Sequence, residues 1–242
     1  MNLAIDIGNT RVKAAVFEED KLIELLIFDK KIIVSEIKKI VKKYAISGGI
    51  ISNVGAISER KMAQLNESFN FTVISASLKV PFNNLYKTPD TLGVDRIALV
   101  AAAVKQFPKT NVLIIDAGTC ITFDFVDVNT TYLGGAISPG IKMRYKALHK
   151  FTANLPLIEA LELDDFIGKN TEESIISGVL NGVKNEINGI IEDYYLRYLD
   201  LTVVLTGGDT NFLSKQLKSS IFANQNFLLQ GLNEILKFNQ HK

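Results

Sequence analysis

The residues best suited to chemistry stand at the start of the chain. Ile5-Asp6-Ile7-Gly8-Asn9-Thr10-Arg11-Val12-Lys13 sets a carboxylate inside an apolar strand, a tight turn after it and a lysine on the returning strand. A carboxylate there is costly unless it is paired, hydrogen-bonded or close to a metal. The turn offers backbone N–H groups, the Asn9 amide and the Thr10 hydroxyl. With Lys13 that set can hold a phosphate and its magnesium. An ordinary hairpin with an aspartate near its turn is the alternative.

The second half repeats the pattern. Ile115-Asp116-Ala117-Gly118-Thr119 precedes an apolar run from Ile121, so Ile, Asp and Gly recur at an offset of 110 residues. Two such units, each opening one half of the chain, predict a duplicated domain whose phosphate-handling turns face a shared cleft.

Further chemistry-bearing residues follow in order. Tyr86 lies in an irregular stretch, 79–91, broken by Pro81 and Pro89; it either covers a ligand or anchors its own loop. Gly93-Val94-Asp95-Arg96 opens an apolar helix to Phe107, where Asp95 either caps the helix or works beside an anion bound by backbone N–H groups. Gly134 to Gly140 is a glycine-rich run before a helix, suited to close approach of a phosphate, though neither a Walker nor a Rossmann sequence. Thr171 precedes a long helix and either caps it or reaches a ligand from it. Thr206-Gly207-Gly208-Asp209 follows a strand, where an adenine nucleotide would fit.

The elements that carry these residues can be read from periodicity. Strands at Leu3–Ile7, Val12–Phe17 and Lys21–Phe28 form an antiparallel meander. An amphipathic helix around Ile37–Val41 has Ser35 as its candidate cap, and a β-α-β run at Gly48–Asn53, Ser58–Asn66 and Phe71–Ile74 completes the first half. A second hairpin at Val112–Asp127, a strand at Thr131–Leu133 and helices at Ile141–Lys150, Ile175–Tyr198 and Phe227–Phe238 fill the second half. The boundary is expected at 110/111.

Composition narrows the function classes. The chain has 242 residues, 47% of them hydrophobic, enough for a substantial core and too many for disorder. Its 27 basic and 26 acidic residues nearly cancel, which argues against a dedicated nucleic-acid binder. Cys120 is the single cysteine, so no internal disulfide or cysteine metal cluster is expected. The only histidines, His149 and His241, are poorly placed for a zinc site or a Ser-His-Asp triad. Chemistry must then rest on aspartates, basic groups, hydroxyls and backbone donors. The start of the chain lacks a signal-peptide pattern, no run has transmembrane length, and a cytoplasmic protein is expected.

Taken together, the motifs resemble the type III pantothenate kinases over essentially the whole length. The matching pieces are DIGNTRVK at 6–13, GVDR at 93–96, DAGTCIT at 116–122, GGAISPG at 134–140, TEES at 171–174 and TGGD at 206–209. The resemblance implies an α/β protein of the actin-like, sugar-kinase and heat-shock-chaperone ATPase fold. Two ribonuclease-H-like domains, 1–110 and 111–242, would flank an interdomain cleft. It also implies transfer of the ATP γ-phosphoryl group to pantothenate, the first step of coenzyme A synthesis.

The same resemblance assigns roles. Asp6, Ile7, Gly8, Asn9, Thr10, Arg11, Val12, Lys13 and Thr119 would bind ATP, with Asp6 close to magnesium. Tyr86, Gly93, Val94, Asp95, Arg96 and Thr171 would contact pantothenate, and Asp95 would accept the proton. Asp116 would hold a potassium or ammonium ion. A homodimer is implied, with the substrate site partly at the subunit junction. Cys120 departs from the alanine common in the family. A nucleotide-driven switch of the same fold, or a related sugar or acetate kinase, is the competing reading.

Overall fold

The computed structural model describes residues 1–240 apart from positions 56, 76, 160, 161, 163, 164, 218 and 219. Within the first half the chain runs β1 (Asn2–Ile7), β2 (Val12–Glu18), β3 (Lys21–Phe28), α1 (Ile33–Lys43), β4 (Gly48–Ser52), α2 (Glu59–Asn66), β5 (Thr72–Val73), β6 (Asn83–Asn84) and α3 (Val94–Gln106). It continues through β7 (Asn111–Ala117), β8 (Cys120–Val126), β9 (Thr131–Pro139), α4 (Ile141–Phe151), α5 (Thr171–Arg197), β10 (Leu201–Thr206), α6 (Thr210–Leu213), β11 (Phe222–Ala223) and α7 (Phe227–Gln240).

Two compact units result. The first comprises Met1–Lys109, Asn129–Leu133 and the segment from Asn226 onward; the second comprises Thr110–Val128 and Gly134–Gln225. Two segments therefore depart from a single break at 110/111. Asn129–Leu133 joins the first unit as Thr131 and Tyr132 pair with Asn83 and Asn84. The closing helix α7 joins it too, because Phe227, Leu229, Leu232, Ile235 and Leu236 are all buried. Burying each is worth about 1.5–3 kcal/mol relative to exposure. Asn233 fixes the docking angle, accepting from Asn2 Nδ2 at 3.0 Å and donating to the Glu19 carbonyl at 2.7 Å.

The first unit's sheet has the order β3-β2-β1-β4-β5. Short turns join β1, β2 and β3, so those pairs are antiparallel; β1–β4 and β4–β5 are parallel, with α1 and α2 as crossovers. The second unit repeats the scheme. In it β7 pairs antiparallel with β8 and parallel with β10, which pairs parallel with β11. The strand neighbours run β9-β8-β7-β10-β11, the order of the first sheet. Each sheet has its own core: Leu3, Ile5, Val12, Val16, Ile37 and Phe71 in one, Leu113, Ile115, Phe123, Ile175, Val183 and Leu205 in the other. The expected duplication is thus present over five strands, and β6 adds a sixth beside β9.

Local corrections are few. The first helix is entered by a 3-10 turn at Lys30–Ile32, and Asp29 caps that turn by accepting from Lys31 N at 2.7 Å. Ser35, the expected cap, lies inside α1 and donates instead to the Ile32 carbonyl. The long helix starts at Thr171, four residues early. Most of the glycine-rich run is strand β9, where Gly135 meets the Phe123 carbonyl too closely for any Cβ (1.6 Å). Among the described residues, no helix is long and apolar enough to cross a membrane.

Candidate active site

In the first unit, Asp6 sits near the end of the central strand β1. Its register neighbours are Lys13 on β2 and Ser52 on β4. Residues opposite one another in a sheet project to the same face, so the three side chains share one side. Burial raises the Asp6 carboxyl to about 6; the Lys13 ammonium opposes this, and the charge of Asp95 adds to it. Ser52 is fully buried, and its hydroxyl faces the Asp6 carboxyl, which it helps to hold in the charged form. The hairpin beyond Asp6 closes through Gly8 N to the Arg11 carbonyl at 3.1 Å, leaving Asn9, Thr10 and Arg11 exposed.

Asp95 reaches this neighbourhood from the first turn of α3. One of its oxygens accepts from the Arg96 backbone N–H at 2.9 Å and lies 2.4 Å from where a Cβ on Gly93 would stand. A side chain at 93 would displace that oxygen. The N-cap position is Gly93, so the Asp95 carboxylate takes a first-turn N–H without being the cap, and its charge bears on Asp6. Arg96 is buried, with its guanidinium 5.5 Å from the centre of the Tyr86 ring. Tyr86 in turn stacks on Tyr132 at 6.1 Å. Tyr86 thus anchors its loop while lending an aromatic face to Arg96.

The second unit places Asp116 at the same point of its own sheet, between Thr122 on β8 and Thr206 on β10. The trio Ser52–Asp6–Lys13 becomes Thr206–Asp116–Thr122. A hydroxyl stands where the lysine was, and that Thr122 hydroxyl is buried without a hydrogen-bond partner. Two glycine segments close on the turn after Asp116. A Cβ on Gly207, whose φ is +98°, would stand 2.4 Å from Asp116 Oδ1, and one on Gly140 would stand 2.2 Å from the Gly118 carbonyl. Asp209 N donates to the Ala117 carbonyl at 2.9 Å, and burial raises the Asp209 carboxyl against the pull of Lys142. Thr119 is exposed at the tip.

Thr171 is exposed at the first position of α5, but the cap is Asn170, which accepts from Glu173 N at 2.9 Å. Glu173 replies by accepting from Asn170 Nδ2 and Lys169 N, a reciprocal box that leaves the Thr171 hydroxyl out of the helix end. Beyond Gly207 and Gly208 the second unit holds a cavity of about 740 Å³, lined in part by Asn181, Lys184, Asn211, Phe212 and Lys215. Arg144, part of a basic run expected to be largely solvated, is bound to Glu186, Ser138 Oγ and the Pro139 carbonyl.

The sheet register thus brings Asp6 and Lys13 together in one unit, where the charge of Asp95 on α3 reaches Asp6, and sets Asp116 beside the Thr119 turn in the other. Ser52, Thr122 and the lysines of the cavity were not singled out from sequence. Their only signal is position opposite an aspartate or across a helix pair, which requires the strand register. His149 engages the Leu155 carbonyl, and His241 lies outside the described residues.

Comparison with known proteins agrees with this geometry. The family model described as type III pantothenate kinase matches residues 2–193. A type III pantothenate kinase of Christiangramia forsetii is 51% identical over 241 residues, covering 99% of each chain. A solved Campylobacter jejuni protein, described as a Baf family transcriptional activator, superposes with TM-score 0.64 at 23% identity, covering 99% of this chain and 100% of that one. A Sinorhizobium meliloti protein assigned as a 2-dehydro-3-deoxygalactonokinase does so with TM-score 0.60 at 13% identity, covering all of both chains. At those identities the structural likeness is one of fold, the α/β fold of sugar kinases and actin-like ATPases. With duplicated aspartate turns on duplicated sheets and near full-length identity to such enzymes, the chain belongs to the type III pantothenate kinase family, ATP-dependent enzymes that phosphorylate pantothenate at the start of coenzyme A synthesis.

Proposed function

We propose that the first unit brings acceptor and triphosphate together and that the second secures the nucleotide. The family's reaction uses ATP, pantothenate and a divalent metal. One observation carries the residue assignment: Asp6, Lys13 and Asp95 converge, and the charge of Asp95 bears on Asp6. Two carboxylates that repel one another call for a countercharge between them. Asp6, beside Lys13 and the buried Ser52 hydroxyl, fits an oxygen-ligated ion, which we assign to magnesium arriving with ATP. When bound, magnesium neutralises charge on the β- and γ-phosphates. Asp6, Ile7, Gly8, Asn9, Thr10, Arg11 and Val12 shape the phosphate cradle, and Lys13 directs its ammonium toward the same anion.

Pantothenate lies along Tyr86, Gly93, Val94, Asp95 and Arg96, with Thr171 as a further contact. Arg96 pairs with its carboxylate through a forked hydrogen bond, the Tyr86 ring supporting the guanidinium. Asp95 orients the acceptor hydroxyl and takes its proton as the new oxygen–phosphorus bond forms. Thr119 binds a phosphate, and the cavity beyond Gly207 and Gly208 receives the nucleoside. Each of the two units is a ribonuclease-H-like domain, the first taking in Asn129–Leu133 and the segment from Asn226 as well as the residues up to 109, and the enzyme works in the cytoplasm.

Asp116 holds a potassium or ammonium ion. The support is the exchange of Lys13 for Thr122: the second aspartate lacks the lysine that faces the first and has a spare hydroxyl in its place. When bound, that ion offsets the repulsion between Asp116 and the triphosphate. Turnover in a sodium-only buffer is therefore expected to fall to about a tenth or less, the scale of one lost electrostatic stabiliser. Asp116→Asn should abolish the response to potassium. Thr122→Lys should restore turnover without potassium by copying the Asp6–Lys13 pair. Full activity in sodium alone would refute the cation assignment.

The active species is a homodimer. Helix α5 leaves open space beside Gly178 and Gly189, and Leu196 and Leu199 near its end are 87% and 85% exposed. Sedimentation at assay concentration should give twice the 26.8 kDa chain mass. A fully active monomer would contradict this.

A further inference from the structure

The turn assigned to the phosphates is braced from outside by a loop that carries none of the residues given a role above. After β4 the chain passes Asn53 and returns to touch the turn at Gly55. Gly55 N donates to the Ile7 carbonyl at 2.6 Å, one residue before Gly8. A Cβ on Gly55 would stand 2.0 Å from the Gly8 carbonyl oxygen and 2.6 Å from Lys30 Nζ, so no other residue fits between them. Lys30 Nζ donates to the Gly55 carbonyl at 2.7 Å, and Lys61 Nζ donates to the Lys30 carbonyl at 2.8 Å. Asn53 Oδ1 accepts from Ile57 N at 3.2 Å and closes the loop on itself. The turn itself closes through the bond from Gly8 N to the Arg11 carbonyl.

We propose that Lys30 and Gly55 are positioning residues for ATP: Lys30 clamps Gly55 against Ile7 and Gly8 and so fixes the N–H groups that meet the triphosphate. The inference rests on the assignment of the 6–13 turn to the phosphates. A cradle of N–H groups gains affinity from being held in place before the ligand arrives. Lys30 reaches the turn only through Gly55, and it lies on the entry to α1 rather than on the acceptor side with Tyr86 and Arg96. Its loss should therefore act on ATP and leave pantothenate untouched.

The test uses full-length Lys30→Met, Lys30→Arg, Gly55→Ala and Lys13→Met, with steady-state kinetics in both substrates, calorimetric binding of Mg-ADP and thermal unfolding. Lys30→Met should raise KM for ATP and Kd for Mg-ADP about tenfold, within the range that a small displacement of a positioning element produces. Its kcat at saturating ATP should change by less than its KM for ATP, because the cradle residues themselves remain, and its KM for pantothenate should be unchanged. Lys30→Arg, which keeps a donor for the Gly55 carbonyl, should recover most of the ATP affinity. Gly55→Ala should show the same ATP-selective defect if it folds; Lys30→Met keeps the question answerable if it does not. A folded Lys30→Met enzyme with a lower melting temperature and unchanged KM for ATP would make the brace merely structural and overturn the proposal. If Lys13→Met alone weakens nucleotide binding, the brace fails and the phosphate assignment stands. If neither variant weakens it, both fail.

Discussion

Asp95→Asn is expected to lower turnover with pantothenate by about 10²- to 10⁴-fold, the scale of a positioned general base, while leaving nucleotide binding intact. Asparagine keeps the size of the side chain and its carbonyl oxygen, so the bond from Arg96 N and the close packing on Gly93 survive. What it removes is the basic oxygen and the charge that bears on Asp6. If Asp95 served only to cap α3, the substitution would be nearly silent in the folded enzyme, because asparagine caps well. Single-turnover phosphorylation, calorimetric Mg-ADP binding and thermal unfolding on one preparation separate the two roles. More than about a tenth of wild-type turnover in folded Asp95→Asn enzyme would exclude the base, given that expected scale.

Asp6→Asn is expected to produce two opposite effects: turnover falls by at least about 10²-fold, and the ligand-free protein becomes more stable at neutral pH. The second effect follows from the carboxyl held at about 6 against an ordinary value of 3.8. The folded state binds this proton more tightly than the unfolded one. The contribution of Asp6 to wild-type stability therefore declines as pH rises from about 4 to about 6 and is level above that. Asparagine stays neutral throughout, so the variant gains over wild type across that same window. A full shift of this size corresponds to about 3 kcal/mol, and Asp6 keeps part of its solvent contact, so about 1–3 kcal/mol is expected at pH 7.5. Urea unfolding in the presence of a chelator at pH 4 and pH 7.5 measures it. Equal wild-type and variant stabilities at both pH values would show that Asp6 carries no stored electrostatic cost.

What could be read from sequence was whatever depends on near neighbours along the chain. The β1–β2–β3 meander follows from alternating strands with short turns, and the two aspartate turns announce themselves by repeating Ile-Asp and Gly. Pairings made through crossovers were not legible. Nothing in the residues around Ser52 or Thr206 states that they will stand beside Asp6 and Asp116, since parallel register is set by the packing of α1 and of the long second-half crossover. The run Gly134–Pro139 reads as loop because glycine is a poor strand former, yet Gly135 is there to let the strand approach Phe123. Helix α7 shows an apolar face but not which sheet it will cover; burial against the first sheet holds it there, and Asn233 fixes its angle through Asn2 and Glu19. At Thr171 the better signal was one residue upstream, where Asn170 and Glu173 form the capping pair.

The central claim, that the Asp6 turn and the Asp95 helix serve one phosphoryl transfer to a hydroxylated acid, is tested most directly by acceptor-dependent ADP release. The assay runs the full-length enzyme with Mg-ATP and potassium against pantothenate, its alcohol analogue pantothenol (a hydroxymethyl group in place of the carboxylate), acetate and glucose. Pantothenate is expected to raise ADP release far above the acceptor-free rate with stoichiometric phosphopantothenate. Pantothenol should require a much higher concentration, because it leaves Arg96 without a carboxylate. Release of ADP at the same rate with and without pantothenate would contradict the account.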